Sequence, residues 1–157
     1  MSKTITISKN KTLKLMNVLI QEISLEDNDN LNTIVLQMDN YIKSKGALPI
    51  GPLIQKTSYS INDDGEINFK MYLMHQLNKS INNIVSPFLY ESVIRVGNCI
   101  YAHYEGPYEK LKLASDKINV IAFENEMILA NENYTVFVNQ KEDEVIADVF
   151  VEVKSHE

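Results

Sequence analysis

The chain has 157 residues, a length typical of one globular domain, and 45% of them are hydrophobic, which is enough for a substantial core. The formal net charge of −6 disfavours nucleic-acid binding, because proteins that bind the phosphate backbone usually carry a basic surface. The single cysteine excludes an intrachain disulfide and a thiolate-cluster metal site. No signal peptide follows Met1 and no apolar run approaches membrane-spanning length, so we expect a cytoplasmic protein without a membrane partner.

The first predicted elements are a strand and a helix. Segment 13–25 is rich in Leu, Val and Ile and lacks Gly and Pro, which favours a strand, with a helix as the alternative. The polar residues 27–30 are typical of a helix N-cap, and Gly46 is a suitable C-terminal stop. The apolar positions between them have helical spacing, which predicts a helix with these residues on its buried side: Leu31, Ile34, Val35, Met38 and Ile42.

A β-hairpin follows the predicted helix. A strand is expected at 53–61, and Asn62-Asp63-Asp64-Gly65 is a strong turn signal because Asp-Gly tolerates positive φ. In the returning strand at 66–76, one face has Ile67, Phe69, Met71 and Leu73, and the other has Asn68, Lys70, Tyr72 and Met74. This alternation is the pattern of a half-buried strand.

The second half of the chain repeats this order of elements. A strand is predicted at 89–104, Gly106-Pro107 marks a turn, and a helix follows at 111–123. Two further strands are predicted at 134–138 and 145–153.

The repeated order predicts an internal duplication, with residues 13–77 equivalent to residues 89–153 and a polar crossover at 78–87. The expected fold is α+β, a tandem β-α-β-β duplication in one domain spanning 1–157. Its strands form one antiparallel sheet with the two helices on one face. A coincidental repeat is the alternative.

Several local motifs resemble those of GyrI-like, AraC-type effector-binding domains. Residues 102–111 (AHYEGPYEKL) are similar to the strand–Gly-x-Tyr–helix signature of that family, and residues 132–134 (ENY) to its Glu-x-Tyr strand. Residues 43–59 resemble its first helix and second strand, and residues 148–153 (DVFVEV) its terminal strand. The match covers most of the chain in the family's order. Within the last motif, Phe150 and Glu152 stand where the family usually has Tyr and Pro, which marks a divergent member whose pocket is altered or lost.

The resemblance implies a cleft between the two halves that binds small, often cationic, aromatic molecules without a cofactor. It places Glu132 in the cleft as the acid that attracts a cation, with Tyr134 and Phe150 as aromatic walls. The alternatives are an exposed glutamate at a strand edge and two rings packed in the core.

Strand alternation adds three further candidates for ligand binding. Tyr101 and His103 share one face of the predicted strand with Cys99, whereas Ile100 and Ala102 suit the side covered by the helix. Tyr72 has the corresponding orientation in the first half. A histidine such as His103 is more often a surface or hydrogen-bonded residue than a functional one.

The sequence contains no phosphate loop, nucleophile elbow or metalloprotease helix, so we expect no catalytic residues and no enzymatic activity. Cys99 has no cationic neighbour in sequence that would activate it. His75, His103 and His156 lack the close spacing of metal ligands, so no metal is expected. Because some GyrI-like relatives hydrolyse small strained molecules, a hydrolase is the third hypothesis.

Met1 opens almost directly onto the expected domain, leaving no room for a helix-turn-helix domain, so the first hypothesis is a stand-alone ligand-binding protein. The second is a protein-interaction or adaptor module without a small-molecule ligand, for example accessory to a Gram-positive secreted-toxin system. An open pocket lined by Glu132 and aromatic rings favours the first. A filled cleft together with a separate apolar surface patch favours the second.

Overall fold

The computed structural model of the chain describes residues 4–24 and 30–156, with the side chains of residues 155 and 156 outside that description. A short 3-10 helix at Tyr108–Lys110 precedes the second α-helix. The strands and helices are, in chain order, β1 (Thr4–Ile23), α1 (Leu31–Ser44), β2 (Pro49–Ile61), β3 (Ile67–Leu77), β4 (Phe88–Pro107), α2 (Lys112–Glu124), β5 (Met127–Lys141) and β6 (Glu144–His156). Within the described ranges, no helix is both long enough and apolar enough to cross a membrane.

The elements belong to two compact units. Unit 1 contains the described residues up to Leu13 and from Arg95 onward, and unit 2 contains Lys14–Ile94. The 20-residue strands β1 and β4 contribute to both units. In unit 2, β3 pairs antiparallel with β1 and with β2. In unit 1, β6 pairs antiparallel with β4 and with β5.

The core of unit 2 lies between α1 and one face of its strands. Ile34, Met38 and Ile42 recur at helical spacing, so they form a buried stripe along α1. This stripe packs against apolar residues that alternate along the strands, as the period of a half-buried strand requires. The principal strand residues of this cluster are Leu19, Ile23, Met71, Leu73 and Leu77.

The core of unit 1 has the same construction around α2. Ala114, Ile118 and Ala122 are the buried residues of this helix. Small residues on both surfaces let the helix approach the strands closely. The strand residues of this cluster are Ile100, Ala102, Tyr104, Val145, Ala147, Val149, Val151 and Val153.

Tyr104 fixes the end of β4 to the segment that leads into α2. Its ring is fully buried, and its hydroxyl donates a hydrogen bond to the backbone carbonyl of Pro107. Burial, and then the charge of Glu109, raises the pKa of the Tyr104 phenol. The hydroxyl therefore stays protonated and keeps this hydrogen bond.

The local predictions for the first half are largely confirmed. The first helix ends before Gly46, which has a φ of 79°. The predicted hairpin turn is present, with the Gly65 amide donating to the Asn62 carbonyl and Gly65 at a φ of 82°. Asn30 caps α1 without a side-chain hydrogen bond. The other predicted cap residues, 27–29, lie outside the described residues.

The predicted strand bounds were too short in both halves. β1 begins at Thr4 rather than at residue 13, and β4 extends through Gly106 to Pro107, where a turn was expected. β5 and β6 extend beyond 134–138 and 145–153. Ile5 and Ile7 alternate with Thr4 and Thr6, but residues 8–12 are all polar, so the apolar alternation that reveals a strand is interrupted before Leu13.

The predicted fold class, α+β with one open antiparallel sheet and two helices on one face, is wrong. The strands follow the order β1-β3-β2-β5-β6-β4 and close into a barrel. Closure pairs backbone groups that an open sheet leaves unpaired at its edges. The order strand-helix-strand-strand does recur in β1-α1-β2-β3 and β4-α2-β5-β6. Superposition of residues 13–77 on 89–153 stays a prediction.

Candidate functional site

The alternation predicted for β4 is confirmed. Ile100, Ala102 and Tyr104 belong to the buried cluster on the α2 side. Tyr101 and His103 point to the opposite face and are half-buried. We call this face of β4, β6 and β5, opposite the α2 cluster, the site face.

Three aromatic residues form one row across the site face. Tyr101 on β4 is paired with Phe150 on β6, and Phe150 is paired with Tyr134 on β5. Residues directly opposite each other in antiparallel strands project to the same face, so the three rings lie side by side on neighbouring strands. The Tyr101 and Phe150 ring centroids are 5.0 Å apart at an interplanar angle of 35°. Tyr134 is buried but lies outside the α2 cluster.

The next row of the site face contains a hydrogen-bonded polar chain. His103 stands opposite Asp148, and its Nδ1 lies 2.7 Å from Asp148 Oδ1. The Tyr101 hydroxyl donates to the same carboxylate oxygen, also at 2.7 Å. On the other side of the imidazole, His103 Nε2 lies 3.0 Å from Glu105 Oε2. The chain therefore runs Tyr101–Asp148–His103–Glu105 along the strands.

The carboxylates change the proton affinity of both of their neighbours. The hydrogen bond to Asp148 raises the pKa of His103; burial opposes this, and the Glu105 hydrogen bond adds to it. Burial, followed by the hydrogen bond to Asp148 and the charge of that carboxylate, raises the pKa of the Tyr101 phenol well above its usual value. The Tyr101 hydroxyl therefore stays protonated and remains a hydrogen-bond donor, and His103 favours its charged form.

Cys99 and Glu152 form the row on the other side of the aromatic rings. The two residues are paired across β4 and β6, and Cys99 is fully buried. Burial, and then the charge of Glu152, raises the pKa of the Cys99 thiol to about 11. A thiol with this pKa is almost entirely protonated at neutral pH, which suits a packing residue better than a nucleophile.

Glu132 lies two residues before Tyr134 on β5 and is half-buried. The pairing of β5 with β6 is irregular between Leu129 and Asn133, so strand register does not define the direction of the Glu132 side chain. Glu132 already has an interaction partner in the structure.

Tyr72, the remaining predicted site residue, belongs to unit 2. It is paired with Glu22 on β1 and with Lys56 on β2. The Lys56 Nζ lies 5.5 Å from the centroid of the Tyr72 ring, within the range of a cation–π contact. An ammonium group of the protein therefore already lies against this ring.

Asp148 and Glu105 are the acids that the sequence analysis did not select. Glu105 had a visible signal, since Tyr101-x-His103-x-Glu105 has the alternation that puts all three side chains on one face. Asp148 had a similar signal on its own strand, since it lies two residues before Phe150 and shares its face, but its position opposite His103 depends on the register of β4 against β6.

A cavity of about 210 Å³ lies at the end of the same three strands. Its lining includes Glu105, so it adjoins the polar chain, together with Asn139, Lys141, Glu144 and Ile146. Among the described side chains, no group of three or more His, Cys, Asp or Glu residues is arranged to hold a metal ion.

Comparison with known proteins identifies the fold. No family model matches the sequence, and no curated protein matches it either. The crystal structure of the EcmrR C-terminal domain is similar, with a TM-score of 0.67 and 15% identity over 99% of each chain. The cryo-EM structure of an EcmrR–DNA complex in EcmrR-RPo gives the same TM-score and identity. That match covers 96% of this chain, which spans 57% of the EcmrR chain in the complex.

The chain therefore has the fold of the EcmrR C-terminal domain. Membership of the GyrI-like family, like the ligand, stays a proposal.

Proposed function

We propose that this chain is a ligand-binding regulatory domain of the GyrI-like class that takes a small aromatic cation on the site face. The observation that carries the proposal is the row of Tyr101, Phe150 and Tyr134 on adjacent strands, flanked by Asp148 and Glu152. A cation gains about 0.5–2 kcal/mol over an aromatic ring, and the flanking carboxylates attract the same charge. Both effects favour one ligand class.

The comparison between the units supports assigning the ligand to unit 1. In unit 2, the row across the strands consists of Ile20 on β1, Met74 on β3 and Ile54 on β2. Ile20 lies three residues after Asn17. In unit 1, Tyr101, three residues after Asn98, begins the aromatic row. Asn17 and Asn98 both have positive φ, at 51° and 52°. Rows at matching positions along β1 and β4 are therefore aliphatic in one unit and aromatic in the other.

The fold supports a regulatory setting. EcmrR, whose C-terminal domain has this fold, is bound to DNA in one of the similar structures. We propose binding without catalysis, since the Cys99 thiol has a pKa of about 11 and is held in its unreactive form.

Calorimetry with N-methylquinolinium and its neutral isostere 1-methylnaphthalene tests the proposal. We expect the cation to bind more tightly, because the two molecules differ in charge but hardly in shape. Glu152→Gln, which removes the charge of a carboxylate that flanks the aromatic row, should weaken cation binding by about 1–3 kcal/mol, the size of a charge-assisted contact, and leave the neutral molecule unaffected. Phe150→Leu should weaken both. Glu66→Gln, which makes the same charge change at the exposed hairpin of unit 2, is the matched control.

Absence of binding by the unmutated protein would contradict the proposal. Equal losses for the cation and the neutral isostere in Glu152→Gln would assign this glutamate a structural role.

A second candidate function, protein interaction, is favoured by an apolar patch on the β2–β3 hairpin. Tyr59 pairs with Phe69 and Ile61 with Ile67, so the four side chains share one face. All four are exposed, Ile61 and Ile67 by 71% and 72%. The adjoining turn carries the acidic Asp63, Asp64 and Glu66, so the fitting partner is a protein segment with an apolar centre and basic flanks.

Co-purification from the native host, followed by mass spectrometry, separates the two functions. If the patch binds a protein, Ile67→Ser should lose that protein while Phe150→Leu retains it. If the site face is the functional surface, a small molecule should co-purify and Phe150→Leu should lose it.

A further inference from the structure

The position of His103 between two carboxylates has a direct consequence for its charge. An ionised carboxylate only accepts hydrogen bonds, whereas a neutral imidazole has a single N–H to donate. His103 Nδ1 faces Asp148 Oδ1 at 2.7 Å and Nε2 faces Glu105 Oε2 at 3.0 Å. Both contacts are hydrogen bonds at the same time only when the imidazole carries two protons. With both carboxylates ionised, this geometry requires an imidazolium.

The groups around His103 reinforce this charge. On β4 its neighbours on the same face are Tyr101 and Glu105, and on β6 it faces Asp148. On β5 the residue opposite Asp148 is the uncharged Val136. Tyr101 donates its hydroxyl proton to Asp148, so it adds no positive charge. Of the unit 1 side chains in these contacts, His103 is the one that can be cationic.

We propose that His103 is the internal counter-ion of the ligand site, and that a cationic ligand must compete with the imidazolium for the Asp148 carboxylate. This inference rests on the proposed function. When the ligand binds, His103 gives up one proton to the solvent as the ligand's positive charge takes its place beside Asp148. A neutral ligand has no such effect. His103 then determines charge selectivity by making cation binding proton-linked.

The proton linkage predicts a definite pH dependence. Below the folded-state pKa of His103, cation affinity should rise with pH, by up to about tenfold per pH unit for one released proton. Above that pKa, the affinity should become constant. The affinity for a neutral isostere should be independent of pH throughout.

Calorimetry with N-methylquinolinium near pH 7 in phosphate and in Tris tests the proton release, because these buffers differ in ionisation enthalpy. We expect the unmutated protein to release protons on binding, and His103→Gln to release none and to bind with little pH dependence. His75→Gln is the matched control, because His75 also lies beside a carboxylate, at 3.5 Å from Asp39, but belongs to unit 2. The His75→Gln variant should release as many protons on binding as the unmutated protein.

Two results would overturn the inference while the proposed function stands: cation binding without proton release, or equal release by His103→Gln. No binding of N-methylquinolinium would overturn the proposed function and the ligand-linked role with it. NMR titration of the histidine rings tests the counter-ion separately, without ligand. His103 should titrate above the usual histidine range, and Asp148→Asn should bring it down while leaving His75 unchanged. If the pKa of His103 is the same in Asp148→Asn as in the unmutated protein, the counter-ion role itself is overturned.

Discussion

His103 Nδ1 and Asp148 Oδ1 are 2.7 Å apart, and the two residues stand directly opposite each other on β4 and β6. The pair is thus a side-chain link between two strands in addition to their backbone ladder. It is half-buried, with side-chain exposures of 31% and 22%. The Tyr101 hydroxyl donates a hydrogen bond to the same oxygen, so Asp148 Oδ1 accepts from both Tyr101 and His103.

The pair makes protein stability depend on pH. Because the folded-state pKa of His103 is raised, its contribution is fully present below the unfolded-state value of about 6.5 and is lost as the pH rises through the folded-state value. Urea unfolding should therefore find His103→Gln less stable than the unmutated protein by about 0.2–1 kcal/mol at pH 6, the range of partly exposed ion pairs. The difference should shrink by pH 9. A difference that grows with pH would contradict this assignment.

Tyr101→Phe tests the hydroxyl of Tyr101 separately from its ring. The variant keeps the ring contact with Phe150 but removes the donor to Asp148, so we expect a loss of about 0.5–1.5 kcal/mol in the free energy of unfolding. Tyr59→Phe makes the same change at an exposed position and should stay within about 0.5 kcal/mol. Equal effects of the two substitutions in chemical denaturation would argue against a stabilising Tyr101–Asp148 bond.

Cys99 should be unreactive in the folded protein. Burial holds its pKa at about 11, so iodoacetamide at pH 7.5 should modify the native thiol far more slowly than the thiol in urea. Glu152→Gln removes the smaller cause of the shift and should speed the reaction only modestly. Rapid native alkylation, followed by mass spectrometry, would mean that the thiol is accessible and ionised.

Ile118 is the central contact of α2 with its strands. Its side chain is fully buried, so Ile118→Ala should cost about 2–5 kcal/mol through lost burial and the cavity left behind. Val120→Ala, two residues along the same helix and 54% exposed, should change the free energy of unfolding by less than about 0.5 kcal/mol. Comparable losses in thermal or urea unfolding would show that α2 packs through a different face.

The helices, the first hairpin and the two faces of β4 could be predicted from the sequence. Each depends on interactions between residues close in the chain, such as the helical spacing of Ile34, Met38 and Ile42 or the positive φ of Gly65. The separation of Tyr101 and His103 from Ile100 and Ala102 follows in the same way, because a strand alternates its side chains whichever strand it pairs with.

Tertiary structure alone decided the barrel closure and the partners on the site face. Asp148 meets His103 because β6 pairs with β4 in one register, and a shift of a single residue would send Asp148 to the α2 side. Strand order depends on backbone hydrogen bonds between segments far apart in the chain. Those bonds are made by groups that every residue carries, so the local pattern of side chains does not specify which strands they join.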